Sequence, residues 1–216
     1  HIYIGRNVMH DDGENAIDLK DLTDVIISQN TIYNYQNTPL GRSRVATATH
    51  YGPSEPDKRG TIRAWYLFNE MYDAQTAGTI SSGPQDIYFI GNLIRDINGI
   101  TFSGWQHKDV YYAGNTMYNV GGGIDDSGSA DAKAVIVNNI FGKLNSSGGV
   151  HISLEYSDYL RNSVASNNLF QDTMVFNRAC VNCIEADPQF TNSSANNFSL
   201  QPTSPAIDMA TSSGVV

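Results

Sequence analysis

Val25-Ile26-Ile27-Ser28-Gln29-Asn30-Thr31-Ile32-Tyr33-Asn34 decides how the rest of the chain is read, because close copies of it recur almost to the end. Residues 87–96 read IYFIGNLIRD, 110–119 VYYAGNTMYN, 134–143 AVIVNNIFGK and 163–172 SVASNNLFQD. An earlier copy stands at 2–11 (IYIGRNVMHD) and a looser one at 64–73 (AWYLFNEMYD). One asparagine keeps its place in every copy: Asn7, Asn30, Asn69, Asn92, Asn115, Asn139 and Asn168. The steps 7 to 30, 69 to 92 and 92 to 115 are each 23 residues, 115 to 139 is 24 and 139 to 168 is 29; 30 to 69 is 39, one period plus about sixteen inserted residues. Repetition on this scale is the first thing a fold must satisfy.

Within a copy apolar residues alternate, as in Val25 and Ile27 or Val110 and Tyr112, the period of a strand with one buried face. A second apolar pair follows the asparagine (Thr31-Ile32, Leu93-Ile94, Leu169-Phe170). After a Gly- or Asn-rich turn comes a third: Ala16-Ile17-Asp18-Leu19, Gly99-Ile100-Thr101-Phe102, Gly123-Ile124 and Gly149-Val150-His151-Ile152. Three short strands in about 23 residues leave no room for a crossover helix. Each strand must then pair with its equivalent one repeat away, which predicts an all-β, parallel β-solenoid of three strands per coil. The asparagines are expected at the bend between the first two strands, in a left-handed or bridge conformation that asparagine tolerates. Their amides should bond to one another as a buried ladder.

A right-handed parallel β-helix of the pectate-lyase-like superfamily is what this pattern resembles, through the repeat Val-x-Ile-x-x-Asn-x-Ile and through Ala186-Asp187-Pro188-Gln189-Phe190-Thr191 with Asn197-Phe198-Ser199-Leu200-Gln201-Pro202-Thr203-Ser204-Pro205-Ala206-Ile207-Asp208. The segment 186–208 is similar to the closing element of secreted bacterial β-helix proteins. The resemblance implies an extracellular or periplasmic location and carbohydrate as partner. It implies function only broadly, since one scaffold carries lyases, hydrolases, epimerases and adhesins.

A length of 216 residues with unbroken repetition suits a single domain spanning 1–216. With 13 basic against 22 acidic residues the net charge is −9, which disfavours nonspecific binding of nucleic acid or anionic membranes. No apolar run approaches the length of a membrane span. His1-Ile2-Tyr3-Ile4 opens inside a repeat with no polar cap before it. This predicts an exposed apolar end, the C-terminal portion of a longer helix, or self-association through that end. Cys180 and Cys183, the only cysteines, lack the further ligands of a zinc site and read as a small disulfide or two free thiols.

The richest chemical cluster is early. Asp11-Asp12-Gly13-Glu14 is an acidic turn; in Ile17-Asp18-Leu19-Lys20, inward Ile17 and Leu19 place Asp18 and Lys20 outward together, about 7 Å apart. Residues 34–63 hold the main insertion, with Arg42, Arg44, a possible strand Val45 to His50, and Tyr51. Long loops on regular scaffolds commonly carry function. Thr79, Ser81, Thr101 and Ser103 continue the outward face. Turns at 104–108, 125–129 and 153–159 leave the same strand, line up along one edge and wall a groove with the insertion.

In β-helix lyases the resemblance implies β-elimination on a uronic-acid polymer. A cation, often Ca²⁺ held by carboxylates, neutralises the sugar carboxylate, and a Lys or Arg base takes the neighbouring proton. On these residues Asp11, Asp12, Glu14 and Asp18 are the candidate Ca²⁺ ligands, Lys20 the base, and Arg42 or Arg44 the second cation. Tyr51, Trp105 and Tyr156 are candidates to stack on sugars; His50, His107 and His151 are candidate acids, bases or donors. Polygalacturonase elements Gly-His-Gly and Arg-Ile-Lys are missing, as is the Arg-x-Pro-x-x-Arg of the main pectate lyase family. Residues 13–20 are loosely similar to the Glu- and Lys-bearing strand of alginate and chondroitin lyases, with the lysine one position out of step. The alternatives are a noncatalytic carbohydrate-binding or structural module, and a glycoside hydrolase using Asp125, Asp126 or Glu155.

Overall fold

A computed structural model of the protein describes residues 1–35, 45–50, 60–129, 132–146, 149–154, 162–172, 174, 176 and 179–210. The protein is all-β, built from long parallel sheets with no α-helix among these residues. The first sheet stacks seven strands in chain order: Ile2–Gly5, Thr23–Ser28, Ile62–Leu67, Gln85–Ile90, Val110–Ala113, Ala134–Val137 and Val164–Ser166. Its register follows the repeat, with Ile2 opposite Val25, Val25 opposite Ala64, Ala64 opposite Ile87, Ile87 opposite Val110 and Val110 opposite Ala134.

Beyond the asparagine, Val8–His10, Thr31–Tyr35, Glu70–Ala74, Leu93–Trp105, Thr116–Asp126, Ile140–Phe141, Leu169–Phe170 and Ile184–Glu185 form the second row. A third row runs Ile17–Lys20, Val45–His50, Thr76–Ser81, the far ends of Leu93–Trp105 and Thr116–Asp126, then Ile152–Leu154. In those two long strands the expected Gly-rich turn is a bend inside one strand, with a register slip between Ile97 and Ile100. A Cβ at Gly121 would meet the Asn98 carbonyl oxygen at 2.5 Å, so the bend needs glycine there. Val45–His50 is a full rung, so the insertion divides into 36–44 and 51–59 on either side of it.

Inward residues fill a continuous core that includes Val25, Ile27, Ile32, Tyr66, Met71, Phe89, Phe102, Tyr112, Phe141 and Phe170. Outward residues of two rows stack in register as well. Trp65, Tyr88 and Tyr111 lie face to face on the first sheet at 5.5 and 4.6 Å between centroids. On the second, His10, Tyr33 and Tyr72 stack at 4.8 and 4.9 Å, and the Arg95 guanidinium sits 3.7 Å over Tyr72.

The asparagine ladder forms. Nδ2 of Asn30, Asn69, Asn92, Asn115 and Asn139 donates at 2.9–3.0 Å to Oδ1 of the next asparagine, which also accepts that residue's backbone N–H. The second Nδ2 hydrogen goes to a main-chain carbonyl, that of Tyr66 for Asn92 and Phe89 for Asn115. These five and Asn168 are buried; Asn7, at the open end, is exposed. The left-handed half of the conformational expectation needs correction. The left-handed residue is the one before each asparagine: Arg6, Gln29, Phe68, Gly91, Gly114, Asn138 and Asn167, with φ between 54° and 65°.

Cys180 and Cys183 form a disulfide, and it ends the ladder: Asn168 N lies 3.4 Å from Cys183 Sγ, and its Nδ2 3.7 Å from Cys180 Sγ. Residues Phe190–Asn192 and Asn197–Leu200 make an antiparallel hairpin that turns back along the outside, with Phe190 and Phe198 against Tyr118 and Ser193 Oγ 3.2 Å from the Tyr118 hydroxyl. At the other end Ile2, Tyr3 and Val8 are 40, 60 and 64 % exposed, the apolar surface expected there.

Asn115→Ala would leave the backbone N–H and Nδ2 of Asn92 without their shared acceptor and leave Asn139 Oδ1 and the Phe89 carbonyl short of a donor, all buried. We expect a loss of about 3 kcal/mol or more in urea unfolding, against about 1 kcal/mol or less for Asn7→Ala.

Candidate functional site

Along the third row, alternation sends Ile17 and Leu19 inward and Asp18 and Lys20 outward, as the sequence requires. Pairing of Lys20 opposite His50 then brings a third group to them. Lys20 Nζ is 2.7 Å from Asp18 Oδ2, and His50 Nε2 is 2.6 Å from Asp18 Oδ1, with all three side chains between 28 and 46 % exposed. Asp18 is the hub, and two nitrogen groups lean on its two oxygens. Its hydrogen bond and charge raise the Lys20 pKa, so the amine is held as ammonium. A lysine that abstracts a proton needs a lowered pKa, and this contact acts in the other direction.

The acidic turn does not gather around this hub. Asp11 is hydrogen-bonded by Asn34 and His10, which lower its pKa, and Asp12 Oδ1 accepts the Gly13 N–H at 2.6 Å. Glu14 adds a neighbouring negative charge that also raises the Lys20 pKa. Among the described residues no group of three or more His, Cys, Asp or Glu side chains is arranged to hold a metal ion. Hard divalent cations require several oxygens at once.

Register carries the row onward from Asp18 to Ala48, Thr79, Ser103, Asp125 and Ser153. Four rungs separate Asp18 from Asp125, about 19 Å at the usual strand spacing. Asp125 and Ser153 border a cavity of about 330 Å³ with Ile100, Ile124, Ser146 and Val150. Two positions further on, Trp105 stands opposite Ser81 and is 53 % exposed. Its neighbour on that rung has no ring, unlike the ladders elsewhere. Backbone bonds from Ser82 to Trp105, Gly83 to Gln106, Ser127 to Gly104 and Ser129 to His107 align the turns along one edge.

Several expected surface groups are inside. His107 is 1 % exposed and Asp126 is fully buried, with His107 Nε2 2.6 Å from Asp126 Oδ1. Successive strand residues face opposite ways, so Asp125 and Asp126 are not an acid pair around one water. His151 is buried edge-on to Phe141 and Phe170, and burial lowers its pKa. Thr101 is buried, donating to the Gly122 carbonyl at 2.8 Å. Arg42, Arg44, Tyr51, Glu155 and Tyr156 lie outside the described residues. No protein-family model matches the chain, and a search of curated proteins finds no match.

Replacing Asp18 by Asn removes the carboxylate that raises the Lys20 pKa. The Lys20 amine should then lose its proton at lower pH than in the parent, read as faster acylation of Lys20 at alkaline pH by mass spectrometry.

Proposed function

We propose that the chain is a right-handed parallel β-helix of the pectate-lyase-like kind. On this reading it works outside the cytoplasm and cleaves a uronic-acid polysaccharide by β-elimination. The winding is supported by three rows of strands that each pair at the repeat interval. The activity is supported by one observation above others: Asp18, Lys20 and His50 converge on the solvent side of a rigid rung, with an open polar row leading away from them.

The chemistry redistributes the roles read from sequence. The Lys20 ammonium faces the uronate carboxylate and offsets its charge, which acidifies the proton on the adjacent carbon. His50, oriented by Asp18, takes that proton; the electron pair becomes the new carbon–carbon double bond, and the bond to the leaving sugar oxygen breaks as that oxygen gains a proton from solvent. Asp18 then stabilises the imidazolium. Charge neutralisation by Lys20 assigns no step to Ca²⁺. The row through Thr79 and Ser103 offers hydroxyls to the polymer, and Trp105 offers an indole face to a sugar ring.

Alginate, polygalacturonate and chondroitin, each with and without Ca²⁺, provide the test through ultraviolet absorbance of unsaturated ends. Product is expected from at least one, with His50→Ala and Lys20→Ala each slowing it by about 10²- to 10⁴-fold. Retardation of a polymer in a native gel with no absorbance from any of them would replace the lyase by a noncatalytic carbohydrate-binding module.

A further inference from the structure

One buried titratable group that the reaction just described does not use is His107, two residues beyond Trp105. Its Nε2 lies 2.6 Å from Asp126 Oδ1 and its Nδ1 2.5 Å from the Lys108 carbonyl oxygen. Asp126 also accepts the Gly128 N–H through Oδ1 at 3.1 Å and the Tyr112 hydroxyl through Oδ2 at 3.2 Å. The Lys108 carbonyl oxygen can only accept, so Nδ1 donates to it, and a carboxylate oxygen at Nε2 suits a second ring hydrogen there.

This pair sits directly beneath the turn that carries the indole. A Cβ on Gly104 would lie 2.7 Å from both Asp126 Cγ and His107 Nε2, so that backbone rests on the pair. From the two sides, Trp105 O accepts Ser82 N at 3.1 Å, Gly104 O accepts Ser127 N at 3.0 Å, and His107 O accepts Ser129 N at 2.7 Å. The side chain of Trp105 is outside while its backbone is fixed from below and from both flanks.

We propose that His107 is a positioning residue: its imidazolium, clamped on Asp126, fixes the turn that holds the Trp105 indole out beside the Asp18–His50 row. That the indole receives sugar rests on the proposed function; that the turn is held this way does not. Of the titratable groups, Asp126 contacts the ring and Asp109 acts on it from farther off, while Tyr112 is hydrogen-bonded to Asp126 and lies in the field of Asp125. Burial alone would depress the imidazole, but Asp126 outweighs it and leaves the pKa above the ordinary 6.5. The clamp is therefore complete below that value and is lost as pH rises through the elevated one.

The test uses the full chain carrying Trp65→Phe, which leaves Trp105 as the only tryptophan. Acrylamide quenching of Trp105 is expected to rise roughly twofold or more as pH climbs from about 6 to about 10, while circular dichroism shows the sheets intact. His107→Gln should abolish that pH step and start near the high-pH value. Heteronuclear NMR of the imidazole, which needs no variant, should show both nitrogens protonated at about pH 6. A neutral ring at that pH, or one quenching profile shared by the parent and His107→Gln, would overturn the proposal. Native-gel retardation by the three polymers across the same pH range is read in parallel. Failure of every polymer to bind removes the proposed function, while fluorescence and NMR still decide the role of His107.

Discussion

A carboxamide fits the corner between the first two strand rows because it offers two donors and two acceptor sites and carries no charge. Asn92 uses all four: Nδ2 serves Asn115 and the Tyr66 carbonyl, and Oδ1 receives the backbone and side chain of Asn69. Aspartate would supply no donor and would bury a charge; serine could not span the gap. Because each amide sets the height of its neighbour, the ladder fixes the register of both flanking rows, and register decides which side chains become neighbours. Asp18, Lys20 and His50 meet for that reason, although 30 residues separate Lys20 from His50 in sequence.

The same register sorts the aromatic residues by what they can still do. Rings of Trp65, Tyr88 and Tyr111, and of Tyr33 and Tyr72, spend their faces on each other and present mainly edges to solvent. They consolidate the sheets and make poor platforms for a flat ligand. Trp105 has Ser81 opposite it and half its surface in water, so composition alone would rank it with the others while position sets it apart.

Much of this is legible from residues. The repeated asparagine, the strand Val45–His50 and the outward pair Asp18 and Lys20 all follow from spacing and alternation. Spacing puts the left-handed corner one residue late, because its occupants range from Arg6 to Phe68 to Gly91 and share no side-chain type; Gly91, Gly114, Asn138 and Asn167 are the readable hint. Thr101 and His107 are misplaced where strict alternation fails, after the bend and slip between Ile97 and Ile100 and in the turn beyond Trp105. His50 reads only as one of three candidate acids, bases or donors, because the carboxylate beside it lies across a rung, which no local spacing reveals. The disulfide's place at the end of the ladder is equally invisible, since sulfur replaces the next amide only in three dimensions.

A stack in which every layer touches only its neighbours tends to fray from its ends, one layer at a time. The hairpin of Phe190 and Phe198 changes that arithmetic by tying the tail to Tyr118, which sits several layers back. Peeling the last layers also means dragging this strap off the middle of the molecule, so loss of order from that side is forced to be collective.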